Sequence, residues 1–295
     1  MLEFGARRLR ALRFREAGGR VSVEAAASLE ERSPGEALRR LGKDGWFGGT
    51  RVLLGVRQRD TAVMQRPPVD DAELPGAMRW QLADTLPYPP DQAIVDVLTF
   101  QDDEPPARQQ VMVVATHRPK LAELLRPLAG KRQMRPDVID VADCAQRNLV
   151  EASCGPQRSA ACLTHREGAV LFTVSRGRTL LFSRVFDVQD PDDARDSADE
   201  TVVAERIGVQ LQRAIDVLER RSPEAAPTRM LVGPSNDGAL MALIAELCGL
   251  PLVDLDWHAH VDVAATARAD IEADPALVHL VGAAMRAPKP EAVDA

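Results

Sequence analysis

Asp254, Asp256, His258, His260 and Asp262 occupy every second position, so an extended backbone would turn five potential metal ligands to one side. The simpler reading is a polar loop after a strand, because Trp257 sits among them and exposed acids and imidazoles require no ligand. No metal site is expected. His117 and His165 fall in turns and His279 on the last helix, and none has a neighbouring Ser or Cys pattern that would pair a nucleophile with its base. Solvent-exposed or core-edge histidines are expected, and no residue is assigned a catalytic role. Cys144, Cys154, Cys162 and Cys248 contain no CxxC pair, which argues against a zinc knuckle and a disulfide scaffold and fits a reducing compartment. Binding is the chemistry better served by this inventory. Trp80, Leu86 and Tyr88 surround a helix end, and aromatic and large apolar groups anchor bound peptides. The alternative is that they pack a local core, the reading favoured for Trp80 and Leu86.

The elements that must carry these residues follow from periodicity. Leu9 to Phe14 and Arg20 to Ala26 alternate around Ala17-Gly18-Gly19 and predict a hairpin. Ser33-Pro34-Gly35-Glu36 supplies an N-cap, a proline at the first helical position and a carboxylate three residues on, so a helix to about Gly42 is predicted. Strands are predicted over Arg51 to Val56, Asp60 to Met64, Ala93 to Phe100, Gln110 to Thr116 and Asp137 to Val141. Helices are predicted over Glu73 to Leu86, Lys120 to Ala129 and Ala142 to Glu151. Ala160 to Thr164, Ala169 to Val174 and Thr179 to Val188 form a second meander. After the acidic stretch Gln189 to Glu200, the spacing predicts a long helix over Val202 to Arg221. Strand Arg229 to Val232, helix Asp237 to Cys248, strand Leu252 to Leu255 and helix Ala276 to Met285 complete the chain.

Both halves therefore open on a three-strand meander and continue into helix-strand alternation, the organisation of an α/β, two-lobed actin-like (ASKHA, ribonuclease H-like) fold. An α-β-β-α unit is inserted in the first lobe. The expected division is 1–155 for the first lobe, with the insert at about 70–131, and 156–295 for the second. At 295 residues, 45% hydrophobic and 27% charged, the chain can fill two ordinary cores. A net charge of −7 and one Tyr argue against nucleic acid as a partner, since a positive field and stacking platforms are both lacking. No window approaches the roughly 20 apolar residues that span a bilayer, so no direct membrane insertion is expected.

Ordered segments over nearly the whole chain resemble the cytoplasmic actin-like proteins of type IV pilus assembly, the PilM type, and especially the MshI branch of mannose-sensitive pilus biogenesis. They are Asp84-Thr85-Leu86-Pro87-Tyr88-Pro89-Pro90-Asp91 with the strand Val95-Asp96-Val97-Leu98, then Gln110 to Thr116 with its leucine-striped helix, and Pro136 to Val141. Leu180 to Phe186, with Arg184, is similar to the family's "lxfxR" strand, and Leu280-Val281-Gly282-Ala283-Ala284-Met285-Arg286 to its terminal helix. The resemblance implies a scaffold at the cytoplasmic face of the inner membrane, held there by partners in the pilus assembly machinery. It further implies that the short N-terminal tail of a single-pass PilN-type protein docks in the first lobe beside the insert.

The departures from the family bear on chemistry. Actin-like ATPases hold phosphates in two hairpin loops with metal-organising aspartates and hold adenosine at a Gly-Gly turn. The resemblance places the first loop at Glu3-Phe4-Gly5-Ala6-Arg7-Arg8, where the Asp is absent, and the second at Leu163 to Gly168, with Thr164 in the aspartate's place. Gly233-Pro234 stands at the adenosine turn, where proline removes an amide. Gly5, Arg8, Thr164, Gly168 and Gly233 are thus a degenerate nucleotide-binding set, no cofactor is expected, and residual ATP or Mg would have to rely on backbone amides and Arg7 or Arg8. The alternative from another class is an active ATPase or sugar-kinase-like enzyme.

Overall fold

A computed structural model describes residues 1–5, 8–17, 20–30, 33–46, 50–55, 58–99, 109–129, 134–166, 168–188, 200–221, 223–258 and 260–286. The first half builds a sheet from β1 (Leu2–Phe4), β2 (Arg8–Ala17), β3 (Arg20–Glu30), β4 (Thr50–Leu54) and β8 (Pro136–Val141), in the order β3-β2-β1-β4-β8. The second half repeats the plan with β9 (Ser159–Arg166), β10 (Ala169–Arg176), β11 (Thr179–Asp187), β12 (Met230–Val232) and β13 (Leu252–Asp254), in the order β11-β10-β9-β12-β13. In each sheet an antiparallel meander is extended by parallel strands. β9 and β10 are buried along nearly their whole length because helices cover both faces.

Local signals explain the helices. α1 (Pro34–Lys43) starts where Ser33 Oγ accepts the Glu36 amide at 3.3 Å, with Pro34 in the position that needs no amide. α4 (Ala142–Cys154) and α8 (Val278–Ala284) lie between the two sheets. Their close crossing requires Gly282, since a Cβ there would fall 2.3 Å from the Ala145 carbonyl oxygen. Residues of both sheets, among them Leu12, Leu53, Cys162 and Leu231, join Leu149, Leu280 and Val281 in one apolar cluster. α5 (Glu200–Arg221) and α6 (Gly238–Glu246) cover the far side of the second sheet, with Ile207, Leu211 and Ile244 facing Leu163 and Phe172.

The insert is a sheet of its own, β5 (Asp60–Gln65), β7 (Gln110–His117) and β6 (Ala93–Thr99) in that spatial order, with α2 (Leu74–Gln81) and α3 (Arg118–Leu125). β5 therefore belongs to it, ahead of residue 70 where the sequence places its start. α2 is shorter than the predicted helix to Leu86; after Gln81 the chain turns, with Thr85 Oγ1 donating to the Leu82 carbonyl at 2.9 Å.

A further difference lies near the C-terminus. Val261–Val263 forms β14, paired parallel to β3 in register Val261 to Val21, and α7 (Ala265–Ala273) packs behind it. The chain after 156 thus returns to extend the first sheet. Few large apolar residues mark this segment, which is why its periodicity is weak: α7 buries only Ala267 and Ile271. The acidic stretch at 189–199 lies outside the described residues.

Candidate functional site: a sealed polar layer and an open cavity

Beyond the apolar part of the α4–α8 crossing, the inner faces of the two sheets meet in a layer of buried polar groups. Strand alternation puts them there. Glu3 is in register with Arg10 across β1 and β2, and both face the second sheet. Arg166 of β9 pairs with Glu3, each side chain 2% exposed. Arg10 lies 3.7 Å from Glu3 and donates through Nε to Asp274 Oδ2 at 2.7 Å, where Ser28 Oγ also donates at 2.6 Å. Burial by itself would raise the Asp274 carboxyl, but the hydrogen bonds from Arg10 and Ser28 win and hold it below the usual value.

The second sheet contributes Thr164. Its hydroxyl lies 2.6 Å from Gln146 Oε1 and 3.2 Å from His279 Nε2, while Gln146 Nε2 donates to the Cys162 carbonyl and to Thr173 Oγ1, both at 2.9 Å. His279 is fully enclosed, which corrects the expectation of an exposed or core-edge histidine: α8 is buried all round. Burial, reinforced by Arg166, Arg10 and Arg59, holds its imidazole well below the ordinary range and hence neutral. On α4, Asp143 takes Arg59 at 2.5 Å, Thr61 Oγ1 at 3.3 Å and the Ser183 hydroxyl.

Of the residues expected as a degenerate nucleotide set, Thr164 lies within this layer and the others lie around it. The Gly5 amide donates to the Arg8 carbonyl at 2.8 Å, and Arg8 turns to Glu30 at 3.6 Å and Asp274 at 3.9 Å. Arg7 and Glu167 lie outside the described residues. Gly168 sits at the β9–β10 hairpin with φ +73°, a left-handed conformation that favours glycine. Gly233 donates to the Leu163 carbonyl at 2.9 Å, and a Cβ on it would come within 2.6 Å of Thr164 Cγ2. Thr164 and Gly233 are therefore packed together. Beside them Gly233, Pro234, Met241, Leu255 and Trp257 line a recess of about 440 Å³. Arg10, Gln146 and Asp274 escaped the sequence reading, Glu3 and Arg166 entered it only as members of the two loops, and His279 entered it as an exposed or core-edge residue. For Arg10 the available signal was a charge between Leu9 and Ala11 in a predicted strand.

A second cavity, of about 240 Å³, opens where the insert meets the first sheet, lined among others by Leu54, Gln58, Tyr88, His117, Lys120 and Leu124. Tyr88 forms one wall. Its hydroxyl donates to Asp60 Oδ2 at 2.9 Å, and its ring stacks on His117 at 4.8 Å between centroids. Partial burial and the bond to Asp60 push its phenol upward, so it stays protonated. Thr116 Oγ1 donates to the Gln58 carbonyl at 2.9 Å and fixes the adjoining segment. Leu86 packs instead with Leu74, Met78 and Leu82 in the insert's core. Trp80 is 68% exposed on α2, so the core reading of that residue does not hold. Of the three residues proposed as peptide anchors, only Tyr88 lines this cavity.

Among the described residues no three His, Cys, Asp or Glu side chains gather as a metal site; Asp256 and His258 meet at 2.7 Å, and Asp262 faces Arg20. Burial pushes the Cys144 and Cys248 thiols up, to about 12 and about 11. Both are poor nucleophiles there. No described helix is long and apolar enough to cross a membrane.

No family model matches the chain, and no curated protein matches its sequence. Its structure is similar to that of a PilM–PilN type IV pilus biogenesis complex, at 18% identity over 98% of each chain with a TM-score of 0.74. It is also similar to the cytoplasmic domain of EpsL, an inner-membrane component of the type II secretion system of Vibrio cholerae. That match has 13% identity over 98% of this chain and 95% of the other, with a TM-score of 0.53. The chain has the two-lobed actin-like fold.

Proposed function

We propose that this protein is a non-catalytic actin-like scaffold of an inner-membrane pilus assembly complex of the MSHA-like type IV class, and that it captures the N-terminal tail of a PilN-type membrane protein. The observation that carries the reading is the cavity between insert and first sheet, with Tyr88 on its wall. At about 240 Å³ it admits one or two side chains of an extended segment, not a folded domain. Leu54, Leu121 and Leu124 offer an apolar surface, and Gln58, Thr116 and Lys120 provide polar groups at its margin. Docking of this kind would hold the protein at the cytoplasmic face of the inner membrane through its partner. The fold likeness to a protein solved in a PilM–PilN complex supports the choice of partner.

The polar layer supports the non-catalytic half of the reading. Thr164 stands where a metal-organising carboxylate is needed, and its hydroxyl is committed to Gln146. Glu3, the acid of the first loop, is neutralised by Arg166 and Arg10. The recess beside Gly233 leaves room for a nucleoside, so the ATPase alternative is tested in the same experiment. Calorimetric titration of the chain with a synthetic tail of a PilN-type protein, and separately with Mg-ATP, is expected to give saturable one-to-one binding of the peptide and no nucleotide turnover. Turnover above a buffer blank with no peptide binding would reverse the assignment.

A further inference from the structure

The two sheets are joined unevenly. Along α4 and α8 they share a continuous apolar cluster that includes Leu12, Leu149, Cys162, Leu231 and Val281. At the loop end the join is polar, and there Glu3 of β1 reaches directly across to Arg166 of β9. The chain of charges continues from Glu3 to Arg10, and from Arg10 to Asp274 in the turn before α8, where Ser28 adds a hydroxyl. Thr164, Gln146 and His279 fill the adjoining space from β9, α4 and α8. Lobes fastened along an apolar side would swing at the opposite side, and Glu3–Arg166 spans that side. A buried ion pair adds little net stability, because desolvation offsets the attraction, but it allows few alternative arrangements.

We infer that the Glu3–Arg166 pair is a strut that holds the two sheets together at their loop end and fixes the orientation of the lobes. Its task is conformational. The lobes therefore present one fixed surface to partners.

The test is hydrogen–deuterium exchange on the full chain, with small-angle scattering in parallel, for the wild type, Glu3→Gln/Arg166→Met and Arg166→Lys. The double substitution leaves neither partner as an orphaned charge, and a cooperative melt confirms that it folds. Amides of β1 and β9 are expected to exchange about tenfold or more faster in it, together, with a larger radius of gyration. Arg166→Lys keeps the charge but loses the fork and is expected to fall between the two, and it carries the test if the double variant does not fold. Wild-type exchange and dimensions in a folded variant would overturn the strut, as would faster exchange confined to β9.

Discussion

Tyr88 could be singled out in the sequence because it stands between prolines in a chain with one tyrosine, yet the groups that fix it could not. Asp60 and His117 lie 28 residues before it and 29 after it, and only the folded insert brings them to its hydroxyl and ring. Tyr88→Ala is expected to weaken tail binding by about 1–3 kcal/mol, the scale of an aromatic anchor, with little loss of stability. Tyr88→Phe keeps the stacked ring and removes only the bond to Asp60, so its affinity should lie nearer the wild type; fluorescence anisotropy with a labelled tail measures both. Leu82 is the control. It is buried with Leu74 and Met78, so Leu82→Ala should cost about 2–4 kcal/mol in thermal denaturation before it alters affinity. Thr164 makes the opposite case. Thr164→Ala removes a buried hydroxyl from Gln146 and should cost about 1–2 kcal/mol while leaving tail binding intact.

Elements were legible where a local signal sets them. The Ser33 cap, the alternation of β2 and β3, and the strands of the second meander depend on neighbours in sequence, and the structure has all of them, with β2 and β3 running three and four residues past their predicted ends. β14 and α7 were missed because their formation depends on β3, about 240 residues away, and on alanines too small to produce an apolar stripe. α8 was read as a helix, but its contact with α4 was not. Gly282 is the position that discloses it: Gly282→Ala would drive a methyl into the Ala145 carbonyl and should destabilise by about 3 kcal/mol or more, although alanine is the better helix former. A melting temperature equal to or above the wild type would refute the close crossing.

For the molecule as a whole, the buried neutral His279 links fold to pH. Its folded value is depressed, so the unfolded chain binds the extra proton. Stability is complete above the ordinary histidine value near 6.5 and falls as pH drops below it, by up to about 1.4 kcal/mol per pH unit. His279→Asn should flatten that part of the profile in denaturant titrations between pH 7 and 5; an unchanged slope would mean that another group accounts for it.

The claim on which the rest depends is that a partner's tail occupies the cavity beside the insert while the cleft between the sheets is inactive. Photo-cross-linking tests it most directly: a tail peptide of a PilN-type protein carrying a benzophenone side chain is irradiated with the full chain, with and without excess Mg-ATP, and the adducts are mapped by mass spectrometry. The account predicts adducts at Pro87–Tyr88 and between Thr116 and Leu124, unchanged by Mg-ATP. Adducts confined to the recess between Val232 and Trp257, or displaced by Mg-ATP, would contradict it.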